Sequence, residues 1–122
     1  IRLLKNGQAI WYSPDQDFGL KQGIMAPFFG VEAATVTAHR RLLKISQAVP
    51  IPLYFYRHGD IRNPQYKVLL EPPVEHLPSP DELDDATRVN KIIENQLRIA
   101  PTQYMWFHRR FKTRPKGYDK IY

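Results

Sequence analysis

The segment from Ser79 to Pro101 constrains this chain more than any other. Ser79-Pro80-Asp81-Glu82 offers Ser79 as a capping side chain, Pro80 for the first helical position and Glu82 to complete a capping box. Behind it Leu83, Ala86, Val89, Ile93, Leu97 and Ala100 recur at three- and four-residue spacing. That period lays side chains along one face of an α-helix. Pro101 ends the run, because proline disfavours helical geometry in the residue before it. The spacing predicts an amphipathic helix whose apolar stripe needs a second layer to cover it.

The remaining segments supply candidates for that layer. Residues 8–13 are rich in aromatic and branched side chains between Gly7 and Pro14, and read as a buried strand. A second apolar stretch, 24–29, ends at Gly30. Residues 35–48 read as a helix with Val36, Leu42, Leu43 and Ile45 inward and His39, Arg40, Arg41 and Lys44 outward. Residues 49–56 read as a strand at an edge or bulge, since Pro50 and Pro52 cannot donate to a ladder. His58-Gly59-Asp60 opens a loop, and 66–70 reads as a strand stopped by Pro72-Pro73, pairing with 49–56 as a hairpin. Residues 102–111 read as a further short helix. Strands interleaved with helices indicate an α/β layer fold. The opening run, Ile1 to Gly7, reads as the last turn of a helix closed by Asn6-Gly7, which leads us to expect a further part upstream.

Composition narrows the chemistry. The absence of cysteine removes disulfides, thiolate catalysis and cysteine-based zinc sites. No apolar run approaches the ~18 residues that a membrane-crossing helix needs. The net charge of +6 is uneven. Residues 71–94 are acid-rich, whereas 108–120 carry Arg109, Arg110, Lys112, Arg114, Lys116 and Lys120 against Asp119. Such a tail suits phosphate, an anionic membrane or an acidic protein, or simply a solvated end.

Two constellations can carry function. In Trp11-Tyr12-Ser13-Pro14-Asp15-Gln16-Asp17-Phe18-Gly19 an apolar run opens into a loop with two carboxylates. Asp15 and Asp17 can orient a base, pair an arginine or hold a divalent metal, or they can only shape the turn. A calcium-binding EF-hand loop is excluded, because Gly19 is displaced and Ala26 stands where the bidentate glutamate belongs. In Trp106-Phe107-His108-Arg109-Arg110-Phe111-Lys112-Thr113-Arg114-Pro115 aromatics interleave with cations, which suits phosphate contact or base stacking. The alternative is a packed C-terminal helix with solvated charges. On a helix Arg109 and Arg110 point apart, so one can sit inside while the other faces out. A third motif, His76-x-x-x-x-Asp81, has the spacing of a glycerolipid acyltransferase base motif. We reject it as catalytic: Pro78 and Pro80 place it in a connection, and Asp81 serves the helix start. His39 and His58 read as surface residues.

Four stretches together resemble the bacterial lipid A late acyltransferases, the lauroyl/myristoyl acyltransferase family, over essentially the whole chain. They are Trp11 to Gly19, Pro27-Phe28-Phe29-Gly30 with Ala34-Thr35-Val36-Thr37, Glu71-Pro72-Pro73, and Ala100 to Pro115. The ending His108-Arg109-Arg110-Phe111-Lys112-Thr113-Arg114-Pro115 is more similar to the lauroyl branch than to the myristoyl branch. The resemblance implies that residues 1–122 are the C-terminal portion of one acyltransferase domain. Its fold would be glycerolipid-acyltransferase-like, with a mixed central sheet flanked by helices. It implies transfer of a fatty acyl group from acyl carrier protein to a hydroxyl on the lipid A precursor. The cytoplasmic face of the bacterial inner membrane would be the place, reached through an upstream anchor, with no cofactor and no metal. It implies a general base in an upstream His-x-x-x-x-Glu motif and an upstream arginine, with Asp15 as a supporting active-site acid; beside it, Asp17 could shape the loop or help. The precursor carries phosphates and the donor protein is acidic, so Arg109, Arg110, Lys112 and Arg114 become candidate contacts. Lacking the base motif, residues 1–122 are not expected to catalyse alone.

Three other classes compete. A metal-dependent glycosyltransferase would use Asp15 and Asp17 and lose activity to a chelator. A nucleic-acid-binding module would use the basic, aromatic tail and bind with steep salt dependence, although no RNP, helix-turn-helix or zinc pattern is present. A non-catalytic relative would keep the fold and lack the upstream motif.

Overall fold

A computed structural model describes residues 1–122. The first helix, α1 (Arg2–Lys5), is a single turn. It closes as its sequence asks: Gly7 stands at φ +75°, its N–H donates to Leu4 O, and Gln8 N–H donates to Leu3 O. This is the paired bonding of a Schellman close, which favours glycine. The strand expected at 8–13 does not form. No segment offers that run a ladder, and Trp11 is 86% exposed. Branched and aromatic residues favour a pleated surface only where a neighbour supplies one.

Strands β1 (Gly23–Phe28) and β2 (Val31–Val36) form an antiparallel hairpin. Phe29 and Gly30 make its turn, both at positive φ (51° and 76°), the backbone whose twist matches the strands it joins. Phe29 is an unusual residue for that conformation, and two contacts hold it. Its N–H donates to Glu94 Oε1 at 2.7 Å, and the Arg98 guanidinium lies 5.1 Å from its ring centroid. At the other end of β1, a side chain in place of Gly23 would land 2.0 Å from Thr35 O.

The helix expected at 35–48 starts later, as α2 (Ala38–Ser46). Thr35 and Val36 belong to β2, paired with Ile24 and Gly23. Their branched Cβ atoms favour the pleat over the helix. The shift changes which helix face is inside. His39, expected on the surface, is only 6% exposed, and Ile45, expected inside, is exposed.

Strands β3 (Leu53–His58) and β4 (Gln65–Leu70) form the expected second hairpin. It begins past both prolines. Pro50 and Pro52 instead offer their carbonyls to Val74 N–H and Glu71 N–H at 2.9 and 3.0 Å. The two hairpins remain separate sheets. Helices and strands alternate as expected, but both sheets are antiparallel pairs and no mixed central sheet forms from these residues.

The long helix, α3 (Glu82–Ile99), matches its prediction closely. Its cap is Asp81 rather than Ser79. The Asp81 carboxylate accepts from Leu83 N–H at 2.8 Å and Asp84 N–H at 3.3 Å, while Ser79 Oγ accepts from Asp81 N–H. A carboxylate at a helix N-terminus also complements the helix dipole. Val89, Ile93 and Leu97 pack against Phe28 and Ala33 to form the core, with Leu77, Tyr104 and Phe111 closing over it. Asp85 forms an ion pair with Arg40 and accepts from Ser79 N–H, which ties α2 to the start of α3. Residues 102–111 are not one helix. They form two 3₁₀ turns, Pro101–Gln103 and Trp106–His108, and Arg109 then takes positive φ. The break turns Arg110 into the core.

Candidate functional site

A cavity of ≈ 490 Å³ opens between the irregular segment around Tyr12, α2, the approach to β3, and α3. Its size falls within the roughly 300–1,000 Å³ of small-molecule sites. The walls are mostly hydrophobic, with Leu42 and Leu43 from α2, Ile51 and Pro52 before β3, and Ile92 and Ile93 from α3. Polar side chains enter this lining too, Tyr12, Asp15, His39 and Tyr104 among them.

Asp15 is half-buried at the wall. Ser13 Oγ donates to its Oδ1 at 2.7 Å, and Tyr104 OH donates to its backbone carbonyl at 3.1 Å. Burial pushes the Tyr104 phenol well above its ordinary range, and the negative charge of Asp15 pushes it the same way. Tyr104 is therefore a donor at any working pH, holding the Asp15 loop against the last turn of the fold.

Asp17 does something else. It is 3% exposed, and both its oxygens are engaged. Oδ1 accepts from Gly19 N–H at 2.9 Å and from Thr113 Oγ at 2.8 Å, and Oδ2 accepts from Thr113 N–H at 2.7 Å. Asp17 thus anchors the loop to the C-terminal segment. These commitments leave Asp15 and Asp17 unsuited to sharing a metal, and no group of three or more His, Asp or Glu side chains converges anywhere in the chain.

The expected cationic contacts divide. Arg110 is fully buried and is withdrawn as a phosphate or carrier-protein contact. It donates to Ala34 O at 2.7 Å, Thr35 Oγ at 3.0 Å and Asn90 Oδ1 at 3.0 Å, and its guanidinium lies 4.8 Å from the centroid of the Phe28 ring. Asn90 completes the network by donating to Pro27 O and Thr35 Oγ, both at 2.9 Å. A buried charge is tolerable only with such partners. One arginine is inside and the other outside, but the left-handed turn at Arg109 separates them rather than a helix, and the inner one meets dipoles. Arg109 and Lys112 are exposed. Arg114 is partly buried, donating to Glu32 O at 2.8 Å and lying over Tyr118.

Sequence reasoning missed His39, Tyr12 and Tyr104. The inward set of Val36, Leu42, Leu43 and Ile45 points His39 outward, but Val36 belongs to β2 and Ile45 is exposed, so the buried face of α2 is the one that carries His39. The hydroxyl of Tyr12 and both ring nitrogens of His39 are buried and make no hydrogen bond of good geometry, although the backbones of His39 and Val36 approach the phenol and the imidazole respectively. Their ring centroids lie 6.4 Å apart. A buried polar group left unpaired costs on the order of 1–3 kcal/mol, and such groups gather at functional sites. Burial pulls the His39 imidazole below its ordinary range, Asp85 opposing and Arg40 assisting, so the ring is neutral near pH 7. His76 and Asp81 stay outside the site: Asp81 caps α3 and His76 lies in the exposed connection. His58 is exposed, as expected.

A sequence profile described as bacterial lipid A biosynthesis acyltransferase matches residues 1–113. The chain belongs to that family. It is 42% identical, over its whole length, to a lipid A biosynthesis palmitoleoyltransferase of Escherichia coli K12, of which it covers 39%. It is 40% identical, again over its whole length, to the lauroyltransferase of the same organism, of which it covers 40%. The E. coli myristoyltransferase is 31% identical across 96% of this chain, which covers 36% of that relative. The chain thus spans about two fifths of the length of these lipid A acyltransferases. Within the family profile lie the apolar cleft, the Asp15 loop and the buried Arg110 network.

Proposed function

We propose that the protein is an acyltransferase of lipid A assembly. It moves a fatty acyl chain, lauroyl by preference, from acyl carrier protein to a hydroxyl of the lipid A precursor. The observation that carries this reading is the apolar cleft with Asp15 in its wall. Each methylene taken from water into such a cleft is worth ~0.8 kcal/mol, so an aliphatic chain gains affinity in proportion to its length. The thioester donor brings its own driving force, and the reaction calls for no cofactor.

A hydroxyl is a poor nucleophile near neutral pH, and a base must take its proton as it attacks the thioester carbonyl. In this proposal the base is a histidine of an upstream His-x-x-x-x-Glu motif within a glycerolipid-acyltransferase-like fold. Asp15 supports it, either by pairing an upstream arginine or by ordering the imidazole. Asp17 holds the loop that presents Asp15. Exposed Arg109 and Lys112, with Arg114 beside them, meet the acidic carrier protein or the phosphates of the precursor. The work is done at the cytoplasmic face of the inner membrane, although no helix of this chain is long and apolar enough to cross a membrane. The lauroyl preference rests on the His108–Pro115 run; identity sets the myristoyl-named relative apart at 31% but does not divide the palmitoleoyl-named and lauroyl-named ones, at 42% and 40%.

The test is transfer by the intact enzyme from dodecanoyl, tetradecanoyl and hexadecenoyl carrier protein to the lipid A precursor. Fastest turnover with dodecanoyl supports the preference, and no transfer from any donor overturns the proposal.

A further inference from the structure

The β3–β4 hairpin leaves one whole face uncovered. Its register sets Leu53, Phe55 and Arg57 opposite Leu70, Val68 and Tyr66, so these six side chains share a face, and all six are exposed. Five are apolar or aromatic, and the Phe55 and Tyr66 rings stack with centroids 5.4 Å apart. Single apolar side chains at a surface are ordinary, whereas a contiguous set of this kind marks an interaction surface. At the hairpin tip Ile61 is 76% exposed. Gln103 ties a second exposed segment to the hairpin. Its amide accepts from Arg57 N–H at 2.8 Å and donates to Arg57 O at 2.6 Å, and the turn that follows carries exposed Met105, Trp106 and Phe107.

Two observations say what covers this face. Leu53 and Phe55 also line the apolar cleft, so the face runs into the cleft wall. Hydrocarbon lying on the face is continuous with hydrocarbon in the cleft. Charge is the other observation. Arg57, Arg62 and Lys67 stand against Asp60 alone in the hairpin, and none of the three forms an ion pair. Free cations around an apolar, aromatic face match an anionic bilayer, where their long stems lie along hydrocarbon and their charges reach the headgroups. Tyrosine and tryptophan suit the same layer, with an apolar ring and a polar edge. We propose that the outward face of β3–β4 docks on an anionic lipid bilayer and sets the cleft mouth against it, so that lipid enters from the membrane side. This rests on the reading of the cleft as an acyl-chain site, and it gives the chain a membrane contact of its own, separate from any upstream anchor.

The experiment attaches a nitroxide label at Phe55→Cys, Ile61→Cys or Val68→Cys, one per protein, with Lys21→Cys as a control outside the hairpin. The protein is the intact enzyme with no other reactive cysteine, in vesicles of phosphatidylethanolamine and phosphatidylglycerol. Molecular oxygen, which concentrates in lipid, and a water-soluble nickel chelate are compared as relaxing agents. Oxygen should dominate at the three hairpin positions, at a depth of about 5–10 Å, the range of an interfacial element. Nickel should dominate at the control. Arg57→Glu, Arg62→Glu and Lys67→Glu together should move the hairpin labels towards the nickel agent. Nickel reaching the hairpin labels as freely as the control overturns the docking face. Shielding from oxygen and nickel alike also overturns it, since another part of the enzyme or a second copy then covers the labels. Transfer from dodecanoyl carrier protein is measured in the same vesicles. Transfer with water-exposed labels removes the docking face and keeps the acyltransferase reading. Lipid-buried labels with no transfer from any donor keep the docking face and remove that reading.

Discussion

The two hairpins are built from strands of equal length and end in opposite environments. In β1–β2 the run Ala33 to Val36 is buried, α3 lies across the pair, and Arg110 threads a hydrogen-bonded network between them. In β3–β4 only Tyr54 is buried. Its outward face carries a stacked Phe55–Tyr66 pair with centroids 5.4 Å apart, beside exposed Val68 and Leu70. Phe55 faces Val68 across the ladder. The hairpin with the more evident strand composition is the less buried one. Burial follows from what packs on a face, and the first hairpin is covered because α3 and the C-terminal segment converge on it.

The sharpest way to break this comparison is to remove Arg110. Arg110→Met should cost the protein about 3–5 kcal/mol, because it strands Thr35, Asn90 and the Ala34 carbonyl in the core. Urea unfolding measures this, and a loss under about 1 kcal/mol would show that the network is not what holds the first hairpin. Asp17→Ala should come next, at about 1–3 kcal/mol, since it frees Thr113 and Gly19. On the second hairpin Phe55→Ser should cost under about 1 kcal/mol, the scale of a cross-strand pair. A larger loss would mean that this face is covered in the working protein.

His39 adds a pH test of the boundary between the regions. Its folded-state pKa is depressed, mainly by burial, while the unfolded chain takes up its proton near the ordinary value of about 6.5. Below that value the unfolded state binds a proton that the folded state refuses. Stability should therefore be full above about pH 7 and fall as pH drops through 6.5, until the folded-state pKa is passed. His39→Phe should flatten that part of the melting-temperature profile. An unchanged slope would show that His39 titrates freely.

What was legible follows the same division. The α3 helix, its end at Pro101 and the β3–β4 hairpin are local patterns and could be read from spacing. The family resemblance was carried by contiguous motifs and needed no fold. The strand β2 was hidden because Thr35 and Val36 sit directly before a good helix, and their pairing with β1 is decided by a turn at Phe29-Gly30 that α3 stabilises from 65 residues away. That displacement put His39 on the wrong face. Which of Arg109 and Arg110 turns inward was not legible, because composition cannot tell a solvated guanidinium from one satisfied by Ala34, Thr35 and Asn90. The same limit hid the difference between Asp15 and Asp17, which depends on Thr113.

That difference is the most direct test of the account. Turnover from acyl carrier protein to the lipid A precursor should be measured for the intact enzyme, for Asp15→Asn and for Asp17→Asn, with the folded fraction checked in each. Asp15→Asn should leave the melting temperature nearly unchanged and lower kcat by about 100-fold or more, the lower bound for a group serving acid–base chemistry. Asp17→Asn should lower the melting temperature and leave kcat of the folded fraction closer to that of the parent. Full turnover in folded Asp15→Asn would contradict the assignment of the cleft wall as part of the active site.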